Sequence, residues 1–131
     1  MNPKKIEIDG KRFSNLKEFY DEIERCLTSG LDWNIGRNLD AFNDILKGGF
    51  GVHKYEEDIE LSWKNSERSR LELGFKETKN YLQEKMKNCY PLNRKEVRTE
   101  LELANKEKGK IIFDTIIEII KEHQHIDLKM K

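Results

Sequence analysis

The chain has 131 residues and a formal net charge of zero, and charged residues make up 38% of it. This length supports one domain with a substantial hydrophobic core, and the lack of net positive charge argues against a general nucleic-acid-binding protein. No run of about 18 apolar residues is present, and residues 1–10 contain no apolar signal segment, so we expect a cytoplasmic protein without membrane contact. Cys26 and Cys89 lie far apart and in no metal-binding spacing, which favours two reduced thiols.

The charge is distributed unevenly along the chain. Residues 32–62 contain seven acidic and three basic side chains, whereas residues 63–110 contain eight acidic and thirteen basic ones. An acidic region on a neutral protein suggests a basic partner, although such regions are more often simply solvated surface.

The periodicity of the apolar residues predicts the secondary structure in chain order. Short stretches of alternating polar and apolar residues predict strands, and apolar residues three or four apart predict helices. Asn15 and Glu18 have the spacing of a capping box at a helix start, and Asn93 and Glu96 repeat it. The predicted elements are a strand at 5–8, helices at 16–27 and 38–48, a strand at 59–63, helices at 66–73, 75–87, 93–104 and 112–120, and a strand at 126–130.

Strands that alternate with helices in this way predict an α/β fold. Because crossovers between parallel strands are right-handed, such an order favours a small parallel sheet covered by helices. We therefore expect one α/β domain over residues 1–131.

The helix predicted near residue 38 carries the most informative pattern. Leu39, Phe42 and Leu46 share one face, whereas Asp40 and Asp44 lie one turn apart on roughly the opposite face. The apolar face should lock the helix to the core, so the two carboxylates are expected at fixed positions. On spacing alone, a solvated polar face is the ordinary interpretation. A metal site is disfavoured because two carboxylates without further ligands hold a cation poorly.

The run from Gly36 to Leu46, which contains Asn-Leu-Asp-Ala-Phe at residues 38–42, closely resembles the core motif of barstar-like ribonuclease inhibitors. Three more stretches are similar to that family's first strand and turn, its second strand with the next helix, and its last helix with the last strand: residues 5–10, 61–64 with 67–69, and 116–130. The ordered series of matches is more specific than the short core motif alone.

The resemblance implies a barstar-like fold, a three-stranded parallel sheet packed by helices. It covers residues 4–75 and 110–131, within a single domain of residues 1–131. Residues 76–109 lie outside it and are interpreted as a charged helical insert.

By this resemblance the chain is a stoichiometric inhibitor of a secreted or polymorphic ribonuclease toxin, and it plugs the toxin's basic active-site cleft. A ribonuclease site holds phosphates with cationic side chains, and carboxylates fixed on a helix can take the phosphates' places. The residues that the resemblance assigns to the partner contact are Asp40 and Asp44 as charged anchors, Gly36 for close backbone approach, Asn38 at the border and Glu118 on the last helix.

The chain departs from the family at the edge of this surface. Asn34 and Ile35 stand in the loop where the family typically has aromatic residues, and Trp33, one place earlier, is interpreted as taking over their stacking role. Asn43 stands where an aromatic residue is often found on the binding helix. We include Trp33, Asn34 and Asn43 in the expected contact, and these departures concern which partner is bound more than how it is bound.

The resemblance implies an immunity protein and not an enzyme, with no cofactor or metal and with a monomeric free state. Two alternatives remain non-catalytic: an immunity protein against a toxin of another activity, and a protein-interaction adaptor. A hydrolase using Asp40 and Asp44 as acid and base is a third, but the sequence offers no nucleophile, phosphate-binding loop or metal site to support it. His123 and His125 lack an evident third metal ligand, and Trp63 is expected in the core.

Overall fold

Three parallel strands form a sheet at the centre of the molecule. The computed structural model describes residues 3–29, 36–49, 53–88 and 90–131. The strands are β1 (Lys4–Asp9), β2 (Ile59–Lys64) and β3 (Ile126–Met130), and β2 lies between the other two. Ile8 lies opposite Trp63, and Leu61 lies opposite Leu128. The parallel three-stranded sheet predicted from the sequence is confirmed.

Helices connect and cover the strands, and each one falls where the apolar periodicity predicted it. In the described part of the chain they are α1 (Leu16–Leu27), α2 (Leu39–Lys47), α3 (Ser66–Glu72), α4 (Phe75–Asn88), α5 (Arg94–Asn105) and α6 (Ile112–Lys121). Within these same residues, no helix is both long enough and apolar enough to cross a membrane.

The two predicted capping boxes have different outcomes. The side chain of Asn15 accepts a hydrogen bond from the backbone nitrogen of Glu18 at 2.8 Å, so the predicted cap of α1 is present. The Glu18 carboxylate bonds the backbone nitrogen of Ser14 at 2.9 Å, one residue before the cap. The predicted cap at Asn93 is wrong. A 3-10 turn over Pro91–Asn93 leads directly into α5, so the Asn93 backbone is helical and its side chain makes no cap bond.

Trp63 of β2 lies at the centre of the hydrophobic core. Its fully buried ring stacks on Phe19 with centroids 5.8 Å apart, and the Phe13 and Phe113 rings meet it edge-on. The indole nitrogen donates to the hydroxyl of Ser69 at 2.9 Å, which satisfies the ring's single polar atom. The expected core position of Trp63 is confirmed.

A buried carboxylate attaches α1 to the end of β1. The side chain of Glu22 accepts hydrogen bonds from the backbone nitrogen of Asp9 at 2.7 Å and from the guanidinium of Arg25 at 2.6 and 2.8 Å. Arg12 lies 3.2 Å away on the same carboxylate. Because this charge is paired and hydrogen-bonded, it can be buried beside the core.

The α4–α5 hairpin occupies most of the segment interpreted as an insert, and it has a small core of its own. Leu82, Val97 and Ala104 are buried between the two helices. The first turn of α4, however, is bonded to the rest of the molecule. Leu16 donates its backbone N–H to Glu77 at 3.0 Å, and Ile112 donates its own to the Thr78 hydroxyl at 2.8 Å. The beginning of this segment is therefore integrated with the main domain.

Candidate partner-binding surface

Asn38 begins the helix that carries the candidate surface. Its backbone is extended, and its side-chain oxygen accepts a hydrogen bond from the backbone nitrogen of Ala41 at 2.7 Å, as an N-cap does. A Cβ atom at Gly36 would lie 3.2 Å from the amide nitrogen of Asn38, so glycine leaves room for this cap. Asp40 lies in the first turn, where the helix dipole favours a negative charge. Gly36 and Asn38 thus help to start α2.

Arg37 ties the residues before α2 to α1. Its guanidinium contacts the carboxylates of Asp21 and Glu24, the latter at 3.1 Å. The hydrogen bonds to these carboxylates raise the pKa of Arg37 above its ordinary value. The positive charge of Arg37 is therefore balanced by carboxylates of α1, next to the start of the candidate surface.

The inner face of α2 is locked to the core. Phe42 and Leu46 are each 1% exposed, and the Phe42 ring meets Phe19 of α1 with centroids 5.4 Å apart. Ile45 is buried as well, whereas Leu39 is only partly buried and packs at the edge of the core. Burial of three large side chains fixes the axis of α2, and with it the positions from which the polar side chains project.

The outer side of α2 carries Asp40, Asn43, Asp44 and Lys47, which we call the α2 face. Spacings of three and four residues place them along one side of the helix. Asp40 is exposed, and the side chain of Asp44 is 65% exposed, with its carboxylate 3.9 Å from the ammonium of Lys47. Such an exposed ion pair contributes only about 0–1 kcal/mol. Both predicted carboxylates are therefore available to a partner from one surface.

All three histidines of the chain donate to the last turns of α2. The Nε2 atoms of His53 and His125 lie 3.1 and 2.9 Å from the carbonyl oxygen of Leu46, and Nε2 of His123 lies 2.7 Å from the side-chain oxygen of Asn43. Because these oxygens can only accept, each Nε2 must carry a hydrogen. The last carbonyls of a helix need partners from outside it, and His53 and His125 both donate to one of them, that of Leu46.

Burial disfavours the protonated form of two of these rings. It lowers the pKa of His53 and of His123 below the ordinary value for histidine. His125 and Lys4 lower the pKa of His53 further, whereas its hydrogen bond to Leu46 and the charge of Glu57 raise it, and burial outweighs these two. Its Nδ1 atom is fully buried and has no partner among the described residues. A second proton on His53 would therefore create a buried, unpaired N–H group.

The structure gives no support for metal binding by the described histidines or for a reactive thiol at Cys26. The rings of His123 and His125 meet edge-on, but nowhere in the described residues are three His, Cys, Asp or Glu side chains arranged to hold a metal ion. The thiol of Cys26 donates to the carbonyl of Glu7 at 2.9 Å. Burial, with a smaller contribution from Glu22, raises the pKa of Cys26 to about 12, so its thiolate is scarce at neutral pH.

Glu118 projects from α6, which packs against α2. Its side chain is 56% exposed and pairs with the ammonium of Lys110 at 2.6 Å, an interaction that raises the pKa of Lys110. Arg70 and Lys121 line the same shallow surface depression. Glu118 is therefore accessible, but a partner's cation would compete with Lys110 for it.

The structure brings together Asp40, Asn43 and Asp44, with Asn38 at the start of the same helix. Trp33 and Asn34 lie outside the described residues. The role of the histidines was missed in the sequence, where two of them were considered only as metal ligands. Asn43 and His123 are 80 residues apart, and no local spacing indicates a contact over such a distance.

A family model described as Barstar (barnase inhibitor) matches residues 4–104, well over half of the chain. The match includes most of the segment interpreted as an insert and ends before α6 and β3. No curated protein and no solved structure matches the chain. On the strength of the family match and of the parallel α/β architecture, the chain belongs to the Barstar family.

Proposed function

We propose that this chain is a stoichiometric inhibitor of a ribonuclease toxin and blocks the toxin's active site with the α2 face and the loop before it. Family membership implies an inhibitor of the barnase-inhibitor type rather than an enzyme. The proposal that α2 blocks the active site of a ribonuclease is supported by one observation. The exposed carboxylates of Asp40 and Asp44 lie on a helix whose opposite side is locked to the core.

The inhibition follows from charge and rigidity. A ribonuclease must bind the phosphates of RNA with arginine, lysine or histidine side chains, and these groups are already oriented for anions. Two carboxylates one helical turn apart offer such a site a fixed pair of negative charges. Because α2 is held by buried side chains and by its caps, little conformational freedom is lost when the partner binds.

The proposed partner is a secreted or polymorphic toxin whose producer needs protection before export. This role places the inhibitor in the cytoplasm, as an immunity protein that meets the toxin before the toxin reaches cellular RNA. Trp33 and Asn34 of the preceding loop, together with Glu118, are proposed to complete the contact around the α2 face.

A toxin with another activity is the second candidate partner. Asn43 stands on the α2 face where the resemblance leads one to expect an aromatic side chain, so the central contact is polar instead of stacked. A basic cleft that is not a ribonuclease site would accept the same two carboxylates.

Titration of ribonuclease activity tests the proposal. Purified protein is added to barnase, and separately to the ribonuclease toxin encoded beside the chain's gene, while cleavage of a fluorescent RNA is followed. We expect inhibition to be complete at one inhibitor molecule per enzyme molecule. The Asp44→Ala variant should inhibit more weakly. Asp127→Ala is the matched control, because it removes an exposed aspartate paired with a lysine on β3. Undiminished cleavage of RNA by both enzymes would refute the ribonuclease assignment.

A further inference from the structure

The bond between Asn43 and His123 determines which end of the Asn43 amide reaches a partner. Oδ1 of Asn43 accepts the hydrogen on Nε2 of His123 at 2.7 Å, so the oxygen end of the amide is turned toward the segment between α6 and β3. The amide nitrogen has no hydrogen-bond partner within the described residues and is not one of the fully buried polar atoms. Two N–H groups of Asn43 are therefore left for solvent or for a partner.

His123 is suited to hold this arrangement at neutral pH. Its burial lowers the pKa of the ring, and His125 and Lys47 act in the same direction, whereas Glu122 and Glu56 act against it. The ring is then neutral with its hydrogen on Nε2, the tautomer that the bond to Asn43 requires. Protonation would add a hydrogen at Nδ1 and leave the Nε2–H donor in place.

Asn43 follows Asp40 by three residues and precedes Asp44 by one, so on the α2 face its side chain lies to one side of the two carboxylates. Without His123 the amide could turn over, since rotation about its terminal bond has two nearly equivalent positions. Turned over, it would present an oxygen beside two carboxylates, and all three groups would be hydrogen-bond acceptors. With His123 in place, the same surface presents a donor beside two acceptors.

We propose that His123 is a positioning residue of the partner-binding surface, which holds the NH2 group of Asn43 outward so that α2 recognises an oxygen acceptor next to two cations. This inference rests on the proposed function and extends it to the chemistry of the partner. The complementary site on the partner is a carbonyl or carboxylate oxygen next to the cationic groups that meet Asp40 and Asp44.

A double-mutant cycle tests the proposal in the complex. The probe is a catalytically inactive form of barnase or of the neighbouring toxin, whichever the activity titration shows to be inhibited. We expect His123→Ala to weaken binding by roughly 2- to 12-fold, the worth of one neutral hydrogen bond. Because His123 acts through Asn43, it should have no further effect in the Asn43→Ala background. His123→Gln should restore binding, since the glutamine amide can donate from the same place.

The outcomes separate this inference from the proposed function. If Asp44→Ala weakens binding while His123→Ala weakens it equally with and without Asn43, then His123 is only structural and the inference is wrong. If Asp44→Ala has no effect either, the proposed function has failed with it. Thermal melts of each variant show whether a loss of affinity follows a loss of fold.

Nuclear magnetic resonance of the free protein tests the geometry without any partner. We expect nitrogen-15 shifts of His123 that indicate a hydrogen on Nε2, and side-chain NH2 signals of Asn43 that change as His123 titrates. In His123→Gln the pH-dependent change should vanish. The proposal would be overturned by a hydrogen on Nδ1 of neutral His123, or by Asn43 signals that do not change as His123 titrates.

Discussion

Replacing Asp44 by alanine should separate the stability of the fold from its binding. In the free protein the change removes an exposed ion pair with Lys47 at 3.9 Å, worth about 0–1 kcal/mol. It also removes repulsion from Asp40, about 0.2–0.5 kcal/mol, and introduces a residue with a helix propensity better by up to about 0.7 kcal/mol. These effects nearly cancel, so we expect the free energy of unfolding to change by less than about 0.5 kcal/mol.

In the complex the same substitution should be costly. Asp44 is proposed to lie against a cation of the toxin, and its removal leaves that cation desolvated and unpaired. Truncating one partner of such a pair typically costs about 2–5 kcal/mol, which corresponds to roughly a 30- to 5,000-fold rise in Kd. Asp40→Ala should act in the same direction but more mildly, because this carboxylate lies at the start of α2.

Leu46→Ala provides the opposite case on the same helix. Leu46 is 1% exposed, and truncating such a core leucine costs about 2–5 kcal/mol of folding stability. Leu39→Ala should cost less, because Leu39 lies at the edge of the core. Calorimetric titration with the toxin and urea unfolding of each variant measure the two quantities. If Asp40→Ala and Asp44→Ala both bind like the parent protein, α2 does not form the plug and the proposed mechanism is wrong.

Three further outcomes are expected. Association with the toxin should slow as salt rises, because the acidic α2 face attracts a basic cleft; stopped-flow rates that are independent of ionic strength would contradict this. The lowered pKa values of His53 and His123 mean that the unfolded chain binds protons more readily. The free energy of unfolding should therefore fall as the pH drops below about 6.5, and His53→Gln should flatten the fall in urea titrations. A Gly/Ser linker in place of residues 83–108 should leave cooperative unfolding intact. Replacing residues 76–109 should lower the free energy of unfolding by about 1–3 kcal/mol more, because the buried N–H of Ile112 loses its acceptor. Equal urea midpoints for the two replacements would show that this bond is unimportant.

Short-range sequence patterns were enough to predict most of the fold. The spacing of apolar residues over short stretches was enough to predict each strand and helix. The cap of α1 by an asparagine could be predicted because the first N–H groups of a helix need an acceptor. The exposure of Asp40 and Asp44 opposite Phe42 and Leu46 followed from helical geometry alone. The prediction of a cap at Asn93 was wrong because the turn that begins at Pro91 leads the backbone into α5 in a helical conformation. The capping pattern alone does not show whether the residue before a helix is extended or already helical.

Contacts between distant residues could not be predicted in the same way. Glu22 has the sequence context of an ordinary helix-surface glutamate, and only the approach of Asp9 and two arginines allows it to be buried. The pairing of Glu118 with Lys110 likewise depends on how the chain enters α6. These interactions depend on tertiary packing, which periodicity does not encode.

The parallel sheet has a consequence for when the proposed binding surface forms during folding. Lys4 pairs with Ile59, and Ile59 pairs with Ile126, so both ladders close large loops of chain. Topologies dominated by such distant contacts fold more slowly than those built from neighbouring segments. The α4–α5 hairpin, whose helices are adjacent in the chain, can form early, whereas α2 is not fully held until His123 and His125 arrive beside it. We therefore expect the newly made chain to complete the proposed binding surface late in folding, and a partner bound to it would in turn draw the folding equilibrium toward the native state.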